Sequence, residues 1–555
     1  MASEKLMVDP VGDLPVIDNG ENAVKFTKDG ESIDLKPEQK LIGLTKEQLE
    51  KYRNDPFWKS ARYVVFTLFW IIWLIMFVGA ILIVVMSPKC APKKEQAWFQ
   101  NSVAYQLFTP TFKDSDNDGV GDFLGIKEKL NDLRRVGITA LWPTPLLKTD
   151  KNEFDPAAIV DSNLVDSRFG SEEDLKNLID ETHSLGLKFI ADLPLTESTV
   201  TNITKKENKL VDINSNDVLT KLRKTAVYLL NLGVDGIHLA QYGLAYKFDA
   251  SEKLDSLAGL IRTEAKENFH DNNPENLLLF ADVQIQREQR NLNLYTRPLY
   301  RYPNATAQIC HSVNFIECLS ESARDGAGQV VRNASTLPLW QLGDVSRPRP
   351  SIRTADNLLP QATAALAAIQ LFLPGSAAIY YGEELGLPPV NDVKSQHGLM
   401  AWSNEKNGGF SDIEGKPFFQ QLSSQQIEKL NFEAQYKETH SPLKGFKKLA
   451  ETKARDEVFI EGQLAVSKKD GLAIFSRILE GNEKAYILVV NFPNTNDSSP
   501  KVFTLNKNIV QNHAASHVEL VWNQPNNAKN PSHIQLNDKL TLNPFEYVLL
   551  RVTVV

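Results

Sequence analysis

Hydrophobic and polar positions fall into three regimes along this chain. From residue 1 to about 43 apolar side chains are scattered among Asp, Glu, Lys and Gly. That is too sparse to bury the surface that would offset chain entropy, and it predicts a disordered segment. Thr45 and Gln48 then carry a capping-box signature that opens a short helix, and Asn54-Asp55-Pro56 closes it. Val64 to Met86 is a run of 23 residues without a charge. As a helix it covers about 34 Å, enough to cross a bilayer and longer than the apolar stretch of a signal peptide. Phe57, Trp58 and Tyr63 sit where an aromatic belt belongs.

The third regime alternates short apolar or β-branched runs with helical periodicity. SVAYQLF reads as a strand, IKEKLNDLRRVG as a helix, ITALWP as a strand, SEEDLKNLIDETHSLG as a helix and LKFIADLP as a strand. The helix VLTKLRKTAVYLLNLG and the strand VDGIHLA follow. This alternation predicts a parallel sheet with crossover helices, as a barrel or a doubly wound sheet. No Gly-rich phosphate loop of either common kind follows a strand, which argues against nucleotide binding. Beyond residue 456 the pattern changes again to strands such as LAIFSRI, AYILVVNF and YVLLRVTV. The organisation read from these shifts is a tail at 1–63, a membrane helix at 64–86, a neck at 87–97, an α/β domain at 98–455 and a β domain at 456–555.

Composition narrows the setting. Sixty-one Lys plus Arg against 69 Asp plus Glu leave a net charge of −8, so no basic field exists for nucleic acid. All four sequons, at Asn202, Asn304, Asn333 and Asn496, follow the apolar run. Lys51, Arg53, Lys59 and Arg62 precede it and Lys89, Lys93 and Lys94 come after it, which favours a cytosolic N-terminus slightly. Together these predict a single-pass protein whose C-terminal part is outside and glycosylated. The cysteines number three, so at least one is unpaired or bonded to another molecule. Cys310 and Cys318 either pair or remain buried thiols, which spacing does not decide. Cys90 lies four residues beyond Met86, within roughly 14 Å of the helix end. Its lysine neighbours favour the thiolate, and an interchain bond to a membrane protein's outer loop is expected, with a free or palmitoylated cysteine as the alternative. Gly79 and Ala80 offer a small-residue patch in the membrane.

Two clusters invite metal. Asp114, Asp116, Asp118 and Asp122 alternate around Gly119 as calcium loops do, although Gly125 stands where an EF-hand needs its Glu. They are candidates for a structural calcium ion. His513 and His517 have i, i+4 spacing without a third ligand, and a solvated loop is expected there.

Tyr105-Gln106-Leu107-Phe108, the loop Asp114 to Asp122, Leu141-Trp142-Pro143, Val165 to Gly170, and Leu373-Pro374-Gly375 through Tyr380 to Glu384 resemble the α-amylase family in its order. The resemblance covers 98 to about 455 and implies a (β/α)8 TIM barrel followed by an antiparallel β-sandwich. The 44 residues from Asp192 to Gly236 leave little room for the family's usual excursion after the third strand. The resemblance also allows the chemistry to be checked. Retaining glycosidases need a nucleophilic carboxylate and an acid about 5 to 5.5 Å apart. Where the family has Gly, apolar, Arg, apolar, Asp on its fourth strand, this chain has Gly236, Ile237, His238, Leu239 and Ala240. The acid's Glu becomes Asp282, the Asn-His-Asp of the seventh strand becomes Leu342, Gly343 and Asp344, and the Asn-His after Asp192 becomes Thr196 and Glu197. A non-enzyme is expected. Asp192 and Asp344 then read as capping strand ends or bonding neighbouring loops, and His238 as a packed or hydrogen-bonded residue at a strand end.

An anchored, N-in, glycosylated, amylase-like protein without a nucleophile resembles the heavy chains of the heteromeric amino acid transporters, the 4F2 antigen type. That resemblance implies a plasma-membrane subunit that carries a polytopic light chain to the surface and holds it through a disulfide and packing contacts. No cofactor is required beyond the candidate calcium. A membrane-anchored α-glucosidase, or an adhesion protein signalling with integrins through its tail, are the alternatives.

Overall fold

The computed structural model describes residues 27–28, 31–32, 46–86, 97–150, 154–196, 211–212, 215–241, 251–268, 276–282, 291–298, 336–346, 349, 359–388, 397–414, 419, 421–493, 499–510, 513–524 and 534–555. The chain divides into two units, 1–95 and 96–555.

In the first unit the short helix Lys46–Arg53 and the long helix Pro56–Met86 meet at the predicted break. Pro56 opens the second helix, where a missing N–H costs nothing, and the Asp55 carboxylate accepts from Phe57 N at 2.8 Å. The long helix therefore begins eight residues before the uncharged run. Its lone hydroxyl in that run, on Thr67, donates back to Tyr63 O at 2.7 Å, which satisfies it without a partner from outside. Part of the segment predicted to be disordered is paired: Thr27–Lys28 and Glu31–Ser32 form an antiparallel ladder. Asp29-Gly30 between them is the dipeptide type that closes two-residue hairpins, a local signal that sparse hydrophobicity conceals.

The second unit opens with eight parallel strands in a closed barrel, each beside its neighbours in sequence. They are β1 Val103–Phe108, β2 Ala140–Thr144, β3 Lys188–Pro194, β4 Gly236–Ala240, β5 Leu278–Ala281, β6 Leu294–Pro298, β7 Leu337–Gln341 and β8 Ser376–Tyr380. Helices return the chain where the periodicity predicts them, over Phe123–Arg135, Glu172–Ser184 and Asn216–Leu232. Asp122 caps the first of these, and Ser171 with Asp174 makes a full capping box on the second. The barrel interior is packed, not hollow: Phe99, Trp142, Ile190, Phe280 and Leu339 belong to one buried cluster inside it.

After helices Pro442–Arg455 and Glu457–Glu461 the chain forms a β-sandwich. Its strands are β9 Gln463–Lys469, β10 Leu472–Ile478, β11 Lys484–Asn491, β12 Lys501–Thr504, β13 Ala515–Gln524, β14 Lys539–Leu542 and β15 Tyr547–Val554. Five make an antiparallel sheet in the order β9-β10-β11-β15-β13, and β12 pairs with β14. Along β10, Leu472 and Ile474 face the cluster shared with β12 and β14, while Ala473 and Phe475 join the barrel's core. Burial on both faces explains why these strands read as unbroken apolar runs. Arg477 on β10 is fully buried and donates to the carbonyls of Phe372, Val458, Phe459 and Gly462, tying sandwich to barrel.

Candidate functional site

The register of three adjacent strands builds the first cluster. Asp192 on β3 pairs across to His238 on β4, and His238 to Phe280 on β5, so the three stand side by side at the carboxyl end of the barrel. Imidazole Nδ1 of His238 lies 2.8 Å from Asp192 Oδ1, and Nε2 lies 3.2 Å from Asp282 Oδ1. Trp142 Nε1 donates to Asp192 Oδ1 at 2.8 Å, and Thr296 Oγ1 donates to Asp282 Oδ1 at 2.6 Å. The imidazole stacks on Phe280, with centroids 4.6 Å apart, and meets the edge of Trp142 at 4.8 Å. Burial alone would push its pKa down. The Asp282 and Asp192 carboxylates outweigh that and raise it to about 10, so His238 is a buried imidazolium.

Two carboxylates that a glycosidase would hold around a sugar thus bracket one cation instead. Ala240, the last residue of β4, is fully buried and presents a methyl group. Asp344 is engaged separately, accepting from Ser346 N at 2.7 Å. The described partners of Asp192 are side chains of the adjacent strands β2 and β4 and not of a neighbouring loop.

The aspartate loop is the second cluster. Ligand oxygens of Asp114, Asp116 and Asp122 all lie within 4.8 Å of one another, the separation expected when oxygens share a cation at 2.3 to 2.6 Å. The fourth residue of the expected set departs: Asp118 does not join that group, and its Oδ1 accepts from Val120 N at 2.8 Å. Burial, with neighbouring carboxylates adding to it, raises the pKa of both Asp116 and Asp118. Gly125 could not carry the side chain an EF-hand needs, because a Cβ there would lie 2.2 Å from Lys113 O. Its amide instead donates to Asp122 Oδ1 at 2.7 Å.

Residues 30–105 match the family model described as the N-terminus of solute carrier family 3 member 2, and 106–217 with 328–462 match the alpha amylase catalytic domain. The amino acid transporter heavy chain SLC3A1 of Homo sapiens is 22% identical, over 86% of this chain and 82% of its own. The heavy chain SLC3A2 of Rattus norvegicus is 25% identical, over 82% and 78%. Over most of its length the chain is similar to amino acid transporter heavy chains. Its fold is shared with a trehalose-6-phosphate hydrolase of Bacillus licheniformis, at a TM-score of 0.66 and 16% identity over 82% of this chain and all of the other.

Several expected sites lie outside the described residues: Cys90, Cys310, Cys318, Asn202, Asn304, Asn333, Asn496 and Glu197. His513 and His517 are exposed as expected, but His517 sits on β13, so the loop expectation holds only for His513. On a strand, i, i+4 spacing does not make the neighbours that it makes on a helix.

Sequence reasoning passed over a third cluster, behind β8. Glu383 and Glu384 are adjacent and fully buried. Glu383 accepts from Gly343 N at 2.7 Å and Tyr380 N at 3.0 Å, and Glu384 accepts from Tyr105 Oη at 2.7 Å. Arg349, also buried, donates to Tyr381 O at 2.7 and 2.9 Å. Burial raises Glu383 to about 8 and Glu384 to about 7, against the lowering effect of Arg349 and those hydrogen bonds. The only sequence signal was two glutamates directly after an apolar strand, where burial is not legible.

Proposed function

We propose that this chain is the non-catalytic subunit of an amino acid transporter. It brings a polytopic light chain to the plasma membrane and anchors it there through a Cys90 disulfide and packing in the bilayer. Its N-terminus is cytosolic and its barrel and sandwich are extracellular. The observation that carries the reading is the match of residues 30–105, which include the apolar helix, to a heavy-chain model and not to an enzyme. Ala240 and the enclosure of Asp192 and Asp282 by His238 support the absence of catalysis.

Non-reducing electrophoresis of the full chain from animal cells tests the subunit role. A band heavier by one membrane protein should collapse with reductant and be missing in Cys90→Ser, while some association persists through packing; an unchanged band in the variant overturns the disulfide assignment. The amylase catalytic-domain match keeps an α-glucosidase as the second reading. Turnover of maltose above a mock preparation, lost in Asp282→Asn, Asp344→Asn, would establish that reading in place of ours.

Asp114, Asp116 and Asp122 would hold a structural calcium ion, whose charge would offset three gathered carboxylates. Calcium should raise the melting temperature of chelator-treated protein, and Asp114→Asn should remove that response. Equal responses in both proteins would place the ion elsewhere.

A further inference from the structure

On the flank of the barrel beside the aspartate loop, four separate stretches of chain, the first of them at Lys113, line a cleft of about 370 Å³, within the size range of small-molecule sites. Helix Phe123–Arg135 supplies Lys129, the turn at 402–409 supplies Trp402 and Glu405, and helix Phe432–Lys437 supplies Glu433, Tyr436 and Lys437. We infer that this cleft binds a small zwitterion of the amino acid or dipeptide class. The inference rests on the cleft alone and is independent of the subunit reading.

The floor is aromatic and fixed. Trp402 and Phe432 are 3% and 5% exposed with ring centroids 5.4 Å apart, and Trp402 Nε1 is held by Phe112 O at 2.7 Å. Tyr436 stacks on Phe432 at 5.9 Å, with the rings within 6° of parallel. Above this floor both signs of charge are present: Lys129 Nζ stands 4.7 Å over the Trp402 ring, and Lys437 is beside Glu433. The balance of sign decides the ligand class. A polyanion would meet Asp132, Glu405 and Glu433, and a simple cation would meet Lys113, Lys129 and Lys437. A ligand with one carboxylate and one ammonium finds a partner of opposite sign for each of its charges through charge-assisted hydrogen bonds. A saccharide fits less well, because sugars stack on open ring faces. Here the Trp402 face is taken by Lys129, and Tyr436 lies between Phe432 and the Lys444 ammonium, 4.1 Å from its ring.

The turn that shapes the rim is a second observation. Asn407, Gly408 and Gly409 all have left-handed φ, of 53°, 69° and 74°. A Cβ at Gly409 would come within 2.5 Å of Ser403 Oγ. Gly408 and Gly409 adopt this backbone at no steric cost, so of the three only Asn407 carries strain of the kind that concentrates at binding sites.

The test is titration of the purified full chain, expressed without a transporter partner, with L-phenylalanine followed by calorimetry. Saturable binding with Kd on the order of 1 mM is expected. N-acetyl-L-phenylalanine amide, which lacks both charges, and maltose should not bind. Lys129→Gln and Glu433→Gln, each with unchanged melting temperature, should weaken L-phenylalanine by roughly tenfold, the loss of one charge-assisted hydrogen bond. Lys129→Gln should weaken N-acetyl-L-phenylalanine and spare L-phenylalanine amide, and Glu433→Gln should do the reverse. Absence of saturation, equal binding of the uncharged amide or of maltose, or wild-type affinity in both variants overturns the inference.

Discussion

At the end of β4, an imidazolium is met by two carboxylates; behind β8, two carboxylates lie together and draw their described hydrogen bonds from backbone amides and the Tyr105 hydroxyl. Both groups are buried in the same barrel, yet their titration runs in opposite senses of charge. His238 stays ionised because each ring nitrogen has an anion within 3.2 Å, which compensates for lost water. Among the described residues the cation beside Glu383 and Glu384 is Arg349, and its guanidinium donates to carbonyls of Tyr381 and Pro388. Burial therefore wins and both acids are held towards the protonated form. Matched partners, not burial as such, decide which groups keep their charge.

The largest test removes the cation from the matched group. His238→Leu leaves Asp192 and Asp282 facing each other with no cation between them, and should cost about 3–5 kcal/mol. Denaturant unfolding of the full chain in detergent measures it, and the triple variant His238→Leu, Asp192→Asn, Asp282→Asn should recover most of the loss. If the single variant costs less than about 1 kcal/mol, the imidazolium assignment fails. A smaller effect is expected from Thr296→Val. That change deletes one hydrogen bond to the Asp282 carboxylate, and about 1.5–3 kcal/mol should follow in the same assay. Its loss should shrink in an Asp282→Asn background, because the two residues share one contact.

The contrast also explains what could be read beforehand. The helices between β1 and β4 followed from periodicity, since an apolar face and a polar one leave a local pattern, and β1 to β4, buried on both faces, could be read as short apolar runs between them. The sandwich strands were legible as apolar runs, for the reason that both faces of the central sheet are covered. Ala240 and the departures around it could be read because they sit in ordered motifs at strand ends. The partners of His238 could not be, because Asp192 and Asp282 lie 46 and 44 residues away and only the parallel pairing of β3, β4 and β5 sets them together. Asp118 was counted with three aspartates it does not join, since alternation along a loop fixes spacing but not the direction of each carboxyl.

The smallest expected effect separates the two groups by pH. Glu383 and Glu384 have folded pKa values of about 8 and about 7, raised above the ordinary 4.5. Their contribution is fully present below pH 4.5 and is lost as pH rises through 7 and 8. His238, raised from 6.5 to about 10, contributes fully below pH 6.5 and loses that contribution as pH climbs through 10. Stability of the full chain should therefore increase when pH falls from 8.5 to 6.5, and both groups contribute. Glu384→Gln keeps the shape and the bond from Tyr105 but cannot ionise, so it should be about 1 kcal/mol more stable than wild type at pH 8.5 and near equal to it at pH 5. Below pH 7 its profile should run flatter than the wild type's, while the decline towards pH 10 that belongs to His238 persists. A variant that parallels the wild type from pH 5 to 8.5 would mean that Glu384 is ionised throughout that range, and the two buried groups would then hold their charge in the same way.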